Sequence, residues 1–434
     1  MSAAPVIEAS EPVVDECLVQ PLQEVGRWLS GWVAARDEVD PASVPEAVRI
    51  DRLAEIERLQ AALEAVKNVE VVGFARSRAV NQISAGVDPR RAERGIADEI
   101  GLACRVSPAE GSRRLHVARD LVLDMPETLR LLAEGRVNAA TARRVTEPLS
   151  HLDRGTRRQV DQELAAKRLE GKSGREAEAA ATRLAYEADP VGSTERAKKA
   201  RKDRRVTLRP APDTMSLLTG LLPVEQGVAC LAALEQAVRQ AKADGDERTK
   251  GQIMADTLVS RITGQEEADD VGFDVGLLFP SDALIDEDDP TPAEMPGHGP
   301  IPAGLARELL ENAQARSWWR RLFTRPTREG GQLVTELDPR RRRFTGWLGE
   351  LIRWRDWTCR DPFCDAPIRH LDHIRRHSDG GPTQGLNGRG VCERGNYVRE
   401  LPGWRVRVSD ADDHSVVTTT PTGHQYVSRP PDPP

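Results

Sequence analysis

The sequence predicts a mainly α-helical protein: a large helical N-terminal domain with a small mixed α/β subdomain, followed by a small separate module near the C-terminus. Three observations carry this expectation. Apolar residues recur every three or four positions through most of the first 190 residues, the spacing of amphipathic helices. After the basic stretch ERAKKARKDRR, at 195 to 205, Val206-Thr-Leu-Arg alternates as a strand does. Further on, Cys359, Cys364 and Cys392 fall within 34 residues that also hold three histidines.

Taken in order, residues 1–42 are Pro- and acid-rich, with one apolar stretch from Val25 to Val33 suited to a short helix, and read as a flexible lead-in. Ser43-Val44-Pro45-Glu46 has the form of a capping box. Beyond it Ile50, Leu53, Ile56, Leu59, Leu63, Val66 and Val69 predict the buried stripe of a long helix. Similar patterns predict helices over 97–103, 112–123, 126–134, 139–149 and 154–185, with turn signals at Gly135 and Asp189-Pro190. In the mixed subdomain that follows, 214–222 and 227–243 read as helical, and Val275-Gly-Leu-Leu-Phe as a second strand. The helical domain is thus placed at 43–284. An acidic Pro-rich linker follows at 285–302, then a helical, Arg- and Trp-rich connector at 303–345, the small module at 346–408 and a disordered tail at 409–434, in which a weak Val-Thr strand precedes the closing SRPPDPP.

No window approaches the roughly 18 consecutive apolar residues that a membrane span requires. The acidic start, MSAAPVIEASEPVVDE, lacks a basic segment ahead of an apolar core, so a cytoplasmic protein with no membrane partner is expected. Cys17, Cys104 and Cys230 are isolated in sequence, and the clustered trio points to metal rather than to disulfides. The net charge of -7 conceals an asymmetry. From Ala315 to Arg407 there are 20 Arg, no Lys and 11 acidic residues, which leaves that segment near +9 and the remainder near -16. A basic module on an acidic body suits a polyanionic partner, and guanidinium groups suit bidentate phosphate contacts. Arg340, Arg341, Arg342 and Arg343, followed by Phe344 and preceded by Trp318-Trp319-Arg320-Arg321, are suited to tracking a nucleic-acid backbone.

Asp372-His373-Ile374 is followed by Gly380-Gly381, then Asn387, Cys392 and Asn396. A strand ending in Asp-His, a Gly-containing turn, a second strand and a helix would gather one imidazole and two hard oxygen donors. Phosphodiester hydrolysis needs such a set, because a base must deprotonate water while a hard cation offsets charge building on phosphate.

From Arg355 to Trp404 the chain resembles an HNH endonuclease module of the ββα-metal type. The preceding chain, with RLHVARDL, LAEGRVNAATAR, DERTKGQIMADTLV and GHGPIPAGLARELL, resembles the helical domain of unknown function 222 found ahead of such modules. The resemblance implies a DNA endonuclease. His373 would be the general base, Asp372 and Asn396 ligands to a catalytic Mg²⁺ or Mn²⁺, and Asn387 the residue that fixes the loop and orients the base. Arg375, Arg376 and Arg399 would face phosphate. The rival expectation is a non-catalytic nucleic-acid-binding or interaction protein.

The resemblance also implies a structural Zn²⁺ on Cys359, Cys364 and Cys392, but the fourth position, three residues after Cys392, is Gly395. Structural zinc normally closes a tetrahedron with four protein ligands. Three outcomes are open. Water or another side chain, with His370 the nearest candidate, completes the shell; zinc binds weakly and Trp354, Trp357 and Trp404 hold the module by packing; or the module is destabilised and its activity reduced.

Overall fold

The structure, a computed structural model, describes residues 19–35, 43–264, 277–278, 286, 288–295, 299–311, 324–326, 332–334, 344, 346–410 and 413–431. It is mainly helical with small antiparallel sheets. The lead-in contains a helix, α1 (Val19–Ala34), which covers the predicted apolar stretch and exposes Trp28 and Trp32.

The long helix α2 (Glu46–Ser84) forms where expected, but its buried face does not. Ile50, Leu53, Ile56, Leu59, Leu63, Val66 and Val69 are all exposed, and the core is reached instead by Ala61, Ala65, Asn68, Val71, Val72 and Ala75. Small side chains let neighbouring helices approach α2 closely, so the face with less apolar area is the buried one. The helix starts later than the Ser43–Glu46 spacing implies: Pro45 is the N-cap, without a side-chain cap hydrogen bond, and Glu46 is the first helical residue.

The helical body continues through α3 (Ile96–Ala103), α4 (Pro108–Arg119), α5 (Pro126–Ala133), α6 (Ala139–Leu149), α7 (Arg154–Ala166), α8 (Gly174–Ala188) and α9 (Pro190–Ala200). Leu121, Met125, Leu131, Leu132, Val145, Leu149 and Leu164 fill its core. Several buried polar groups there are paired. Arg157 ties Asp120 and Asp124 to the carbonyls of Leu149, Ser150 and Leu152, and Asp161 accepts the amide protons of Glu127 and Thr128 at the start of α5. Gly111 permits the α3–α4 crossing, since a Cβ there would stand 2.3 Å from the Ala97 carbonyl oxygen.

Residues 216–222, expected to be helical, instead contribute β2 (Ser216–Leu221), paired antiparallel with β1 (Arg205–Pro210). The turn between them holds Asp213 and Thr214 at positive φ, so the chain reverses before a helix can start. Two helices follow, α10 (Val224–Ala243) and α11 (Lys250–Thr263), the latter opened by a complete Thr249/Gln252 capping box. Of the second expected strand only Leu277 and Leu278 are described, and Leu278 bridges Glu294.

The acidic segment is not simply a linker. It holds a hairpin of β3 (Ala293–Met295) and β4 (Gly299–Ile301), whose Ala293 and Ile301 are buried against Ala306 of α12 (Ala303–Glu311). The connector is not wholly helical either, because β5 (Thr324–Pro326) pairs with β6 (Gln332–Val334). Arg340, Arg341, Arg342 and Arg343 lie outside the described residues, as do Trp318 and Trp319.

The C-terminal unit begins with α13 (Trp347–Asp356). It continues through β7 (His370–His373), β8 (Gly388–Val391) and α14 (Glu393–Val398). The expectation of a disordered tail from residue 409 is overturned: β9 (Arg405–Asp410), β10 (Ser415–Thr419) and β11 (Gln425–Ser428) form an antiparallel meander. Its first strand alternates Arg and Val, its second is a run of Val and Thr, and the proline run begins only at Pro430, after the last strand.

A buried ion cluster joins these parts. Asp356 accepts from Arg355 Nε at 2.7 Å, from Arg360 Nη1 at 3.1 Å and from the Gly390 amide at 2.7 Å. Arg355 also donates to the carbonyls of Gly385 and Gly388, and Arg360 to those of His414 and Ser428. This unit docks on the helical body through Arg394, which forks onto Asp98 at 2.6 and 2.9 Å and reaches Ser112 Oγ at 2.7 Å. Beside that contact Gly95, at φ +84°, allows close approach, with any Cβ 3.0 Å from Leu401 Cδ1.

Burial pushes the Asp356 carboxyl up, but Arg355 and Arg360 outweigh it and hold the group at about 2. Asp356→Asn strips both guanidinium groups of their counter-charge, and denaturant melts of the C-terminal unit are expected to show a loss of about 3–5 kcal/mol. Because the folded value lies below the ordinary carboxylate value, the contribution is complete above about pH 4. It is lost as pH falls through about 2. An acid titration followed by tryptophan fluorescence reads this directly.

Candidate metal centre and Asp-His cluster

The three clustered cysteines meet. Cys359 and Cys364 belong to a tight knuckle after α13, closed by the Cys359 amide on the Ala366 carbonyl and the Cys364 amide on the Asp361 carbonyl. Trp357 and Phe363 take positive φ within it. The Arg360 amide donates to the Gly390 carbonyl, which fixes the knuckle on β8. Cys392 follows that strand directly and caps α14, its sulfur accepting the Gly395 amide at 3.2 Å.

The three Sγ atoms lie within 4.8 Å of one another, and those of Cys364 and Cys392 are 3.9 Å apart. Tetrahedral zinc with bonds near 2.3 Å spaces its sulfurs by about 3.8 Å, so the trio fits such an ion. Hydrogen bonds from the other two thiols, joined by backbone amides, pull the Cys392 thiol down, while Cys359 is pushed up. Among the described residues this is the one group of three or more His, Cys, Asp or Glu side chains placed to hold a metal. His370, considered as a fourth ligand, is exposed on β7 and outside the group.

Asp372 and His373 end β7, opposite Arg389 and Gly388 of β8. The His373 ring is held by Thr383 Oγ1, 2.9 Å from Nε2, and by Phe344, 4.4 Å away between centroids. Asn387 is buried just ahead of β8. Its Oδ1 accepts the Arg375 amide at 2.8 Å, and its Nδ2 donates to the carbonyls of Arg375 and Pro382 at 3.0 and 2.7 Å. The Ile374 amide also donates to the Asn387 carbonyl at 2.7 Å. Both residues that follow His373 are thereby fixed. Asn396 lies half-buried on α14, one turn beyond Cys392, and α14 packs on β7 and β8.

The arginines divide differently from expectation. Arg399 does not face outward toward phosphate. It is buried, its Nη1 bonded to Asp372 Oδ2 and the His373 carbonyl and its Nη2 to the Ile374 carbonyl at 3.0 Å. Burial beside two carbonyls and a carboxylate satisfies the guanidinium more fully than solvent would. Arg376 pairs with Glu400 at 3.2 Å, and Arg375 is exposed with its guanidinium on the Asp379 carbonyl.

Four side chains that matter here were not singled out by their sequence context. Thr383 positions the His373 ring, and Arg389, fully buried, joins Asp361 at 2.7 Å to Asp372 at 3.4 Å. Arg405 and Arg407, exposed on β9, line a groove of about 720 Å³ with Arg375, Arg376 and Arg399. The alternation RVRV was the available signal for that pair: it places both arginines on one face of a strand.

No helix among the described residues is long and apolar enough to cross a membrane. In comparisons with known proteins, residues 53–356 match the family described as Domain of unknown function (DUF222). Two relatives in Mycobacterium tuberculosis are similar to part of the chain. Uncharacterized protein Rv3776 is 33% identical over 167 residues, covering 36% of this chain and 29% of that protein. Uncharacterized protein Rv2100 is 34% identical over 146 residues, covering 32% and 24% respectively. The matched part of the chain thus spans less than a third of the length of either relative. No solved structure matches. With most of its length inside the family match, the chain belongs to the DUF222 family.

Proposed function

We propose that residues 346–408 form an HNH-type unit that hydrolyses phosphodiester bonds in DNA with the aid of a divalent cation. One observation carries this reading. Asp372 and His373 end the first strand of an antiparallel hairpin, and the buried Asn387 side chain locks the loop leading into the second strand, which runs on into α14. A general base must be held in one orientation to be effective. Thr383 and Phe344 supply that constraint on His373, and Asn387 supplies it on the backbone that follows.

In this reading His373 takes the proton from the attacking water. Asp372 and Asn396 offer the oxygen donors for Mg²⁺ or Mn²⁺, whose bound form offsets charge on the phosphate and leaving oxygen. Both guanidinium contacts on Asp372 fall on Oδ2, so a carboxylate with two acceptor oxygens keeps Oδ1 for that role. Arg375, Arg405 and Arg407 line the adjoining groove and favour a phosphate backbone there.

A second reading, a nucleic-acid-binding unit without catalysis, draws on the same Asp372 contacts. Arg399 and Arg389 already neutralise the carboxylate and oppose a cation. Plasmid nicking separates the two. With Mg²⁺ or Mn²⁺ the purified protein is expected to nick, and His373→Ala to reduce the rate by about 10²–10⁴-fold with an unchanged circular dichroism spectrum. Binding without nicking would establish the second reading. Replacing Arg405 and Arg407 together by Ala is expected to weaken DNA binding irrespective of sequence and to lower the salt slope by about 2, measured by fluorescence anisotropy.

A further inference from the structure

Residues 205–264 lie inside the family match and are rich in apolar side chains, yet among these described residues only Val238 and Ile253 are buried. Strands β1 and β2 are exposed along their whole length except at the half-buried Thr207. A hairpin of two strands is marginal in water and needs a further strand or a layer packed on its apolar face. The register identifies that face. Leu208 stands opposite Leu218 and Val206 opposite Gly220, so alternation sets these four on one side of the hairpin. Leu222 joins them, since a Cβ on Gly220 would lie 3.7 Å from its side chain. The other side mixes Leu217 and Leu221 with Arg205, Thr207, Arg209 and Thr219, a composition suited to water.

Helix α10 begins directly after the hairpin and extends the bare surface. Val224, Val228 and Leu231 form one stripe at helical spacing, and all three are more than half exposed. Further along, the same stripe is buried at Val238, past the point where Lys250 of α11 reaches Glu235 at 2.9 Å. We propose that the apolar hairpin face and the first half of α10 form a self-association surface, occupied by the same surface of a second copy of this chain. The strand face, from Val206 to Leu222, presents no charged side chain, so it offers nothing for a nucleic acid or a charged peptide to recognise. Beside it Arg201 and Glu225 are already paired with each other. A patch of this kind is complementary to itself, which is the condition for a two-fold dimer. At roughly 100 Å² per exposed side chain, its seven apolar residues present roughly 700 Å², close to the ~800 Å² that one partner contributes to a stable interface. Two hairpins layered face to face would each supply the cover that the other lacks. The inference is independent of the nuclease reading.

Sedimentation equilibrium of the full-length protein tests it, and wild-type protein is expected to show twice the chain mass across the micromolar range. Leu208→Asp with Leu218→Asp sets two carboxylates opposite each other on the strand face and should weaken the dimer at least ~100-fold, leaving monomer. Val228→Glu lies on an exposed helical stripe and leaves the hairpin untouched. It should also dissociate the dimer, with an unchanged circular dichroism spectrum, and it decides the matter if the double variant fails to fold. Ile50→Ser with Leu53→Ser, on the exposed stripe of α2, should remain dimeric. A wild-type protein that is monomeric throughout would overturn the proposal, and slow hydrogen exchange over 205–221 in that monomer would mean that the face is covered within one chain. A dimer that survives Val228→Glu would overturn it too, and loss of that dimer in the α2 variant would move the interface to α2.

Discussion

The C-terminal unit depends on one buried carboxylate. Asp356 is fully enclosed, and an isolated charge in that position would be prohibitively costly. Arg355, Arg360 and the Gly390 amide make it tolerable, and by doing so they fix three pieces of chain at one point: the end of α13, the cysteine knuckle and strand β8. Arg360 then carries the constraint outward to the final meander through the carbonyls of His414 and Ser428. With two small apolar clusters among its described residues, one around Phe344, Leu348, Leu351 and Ile352 and one around Cys359, Cys364, Val391 and Cys392, the unit uses polar connectivity where a larger domain would use core volume.

A second line of charge runs through Arg389. Its guanidinium reaches Asp361 beside the cysteines on one side and Asp372 beside His373 on the other. The two sets of residues, chemically separate in sequence, share a buried cation. The orientation of Asp372 is therefore coupled to the integrity of the knuckle, and Arg399 reinforces it from α14's far end.

Much of this was legible in the sequence, and the failures have identifiable physical causes. The cysteine trio and the Asp-His strand could be found because ligand spacing and strand-turn-strand order are local properties. The length of α2 was legible for the same reason, but its orientation was not: periodicity marks two candidate faces, and the choice of Ala61, Ala65 and Ala75 over Leu59 and Leu63 is made by how closely other helices approach. Arg399 looked like a surface arginine because nothing local shows that two carbonyls and a carboxylate await it. Nothing in the spacing after Cys392 shows that the Asp361 carboxylate, from across the knuckle, fills the space beside Gly395. The final meander was hidden by its short strands and by the prolines that end the chain.

The family match stops at Asp356, and the structure gives that residue a particular meaning. A chain cut there would part Asp356 from Arg360 and the Gly390 amide, and Arg355 from the Gly385 and Gly388 carbonyls. The ion pair of Arg394 with Asp98 also crosses that point. The seam drawn by sequence similarity is not a seam in the molecule, and a fragment meant to isolate either half must begin upstream of α13 and carry its own replacement for Asp98.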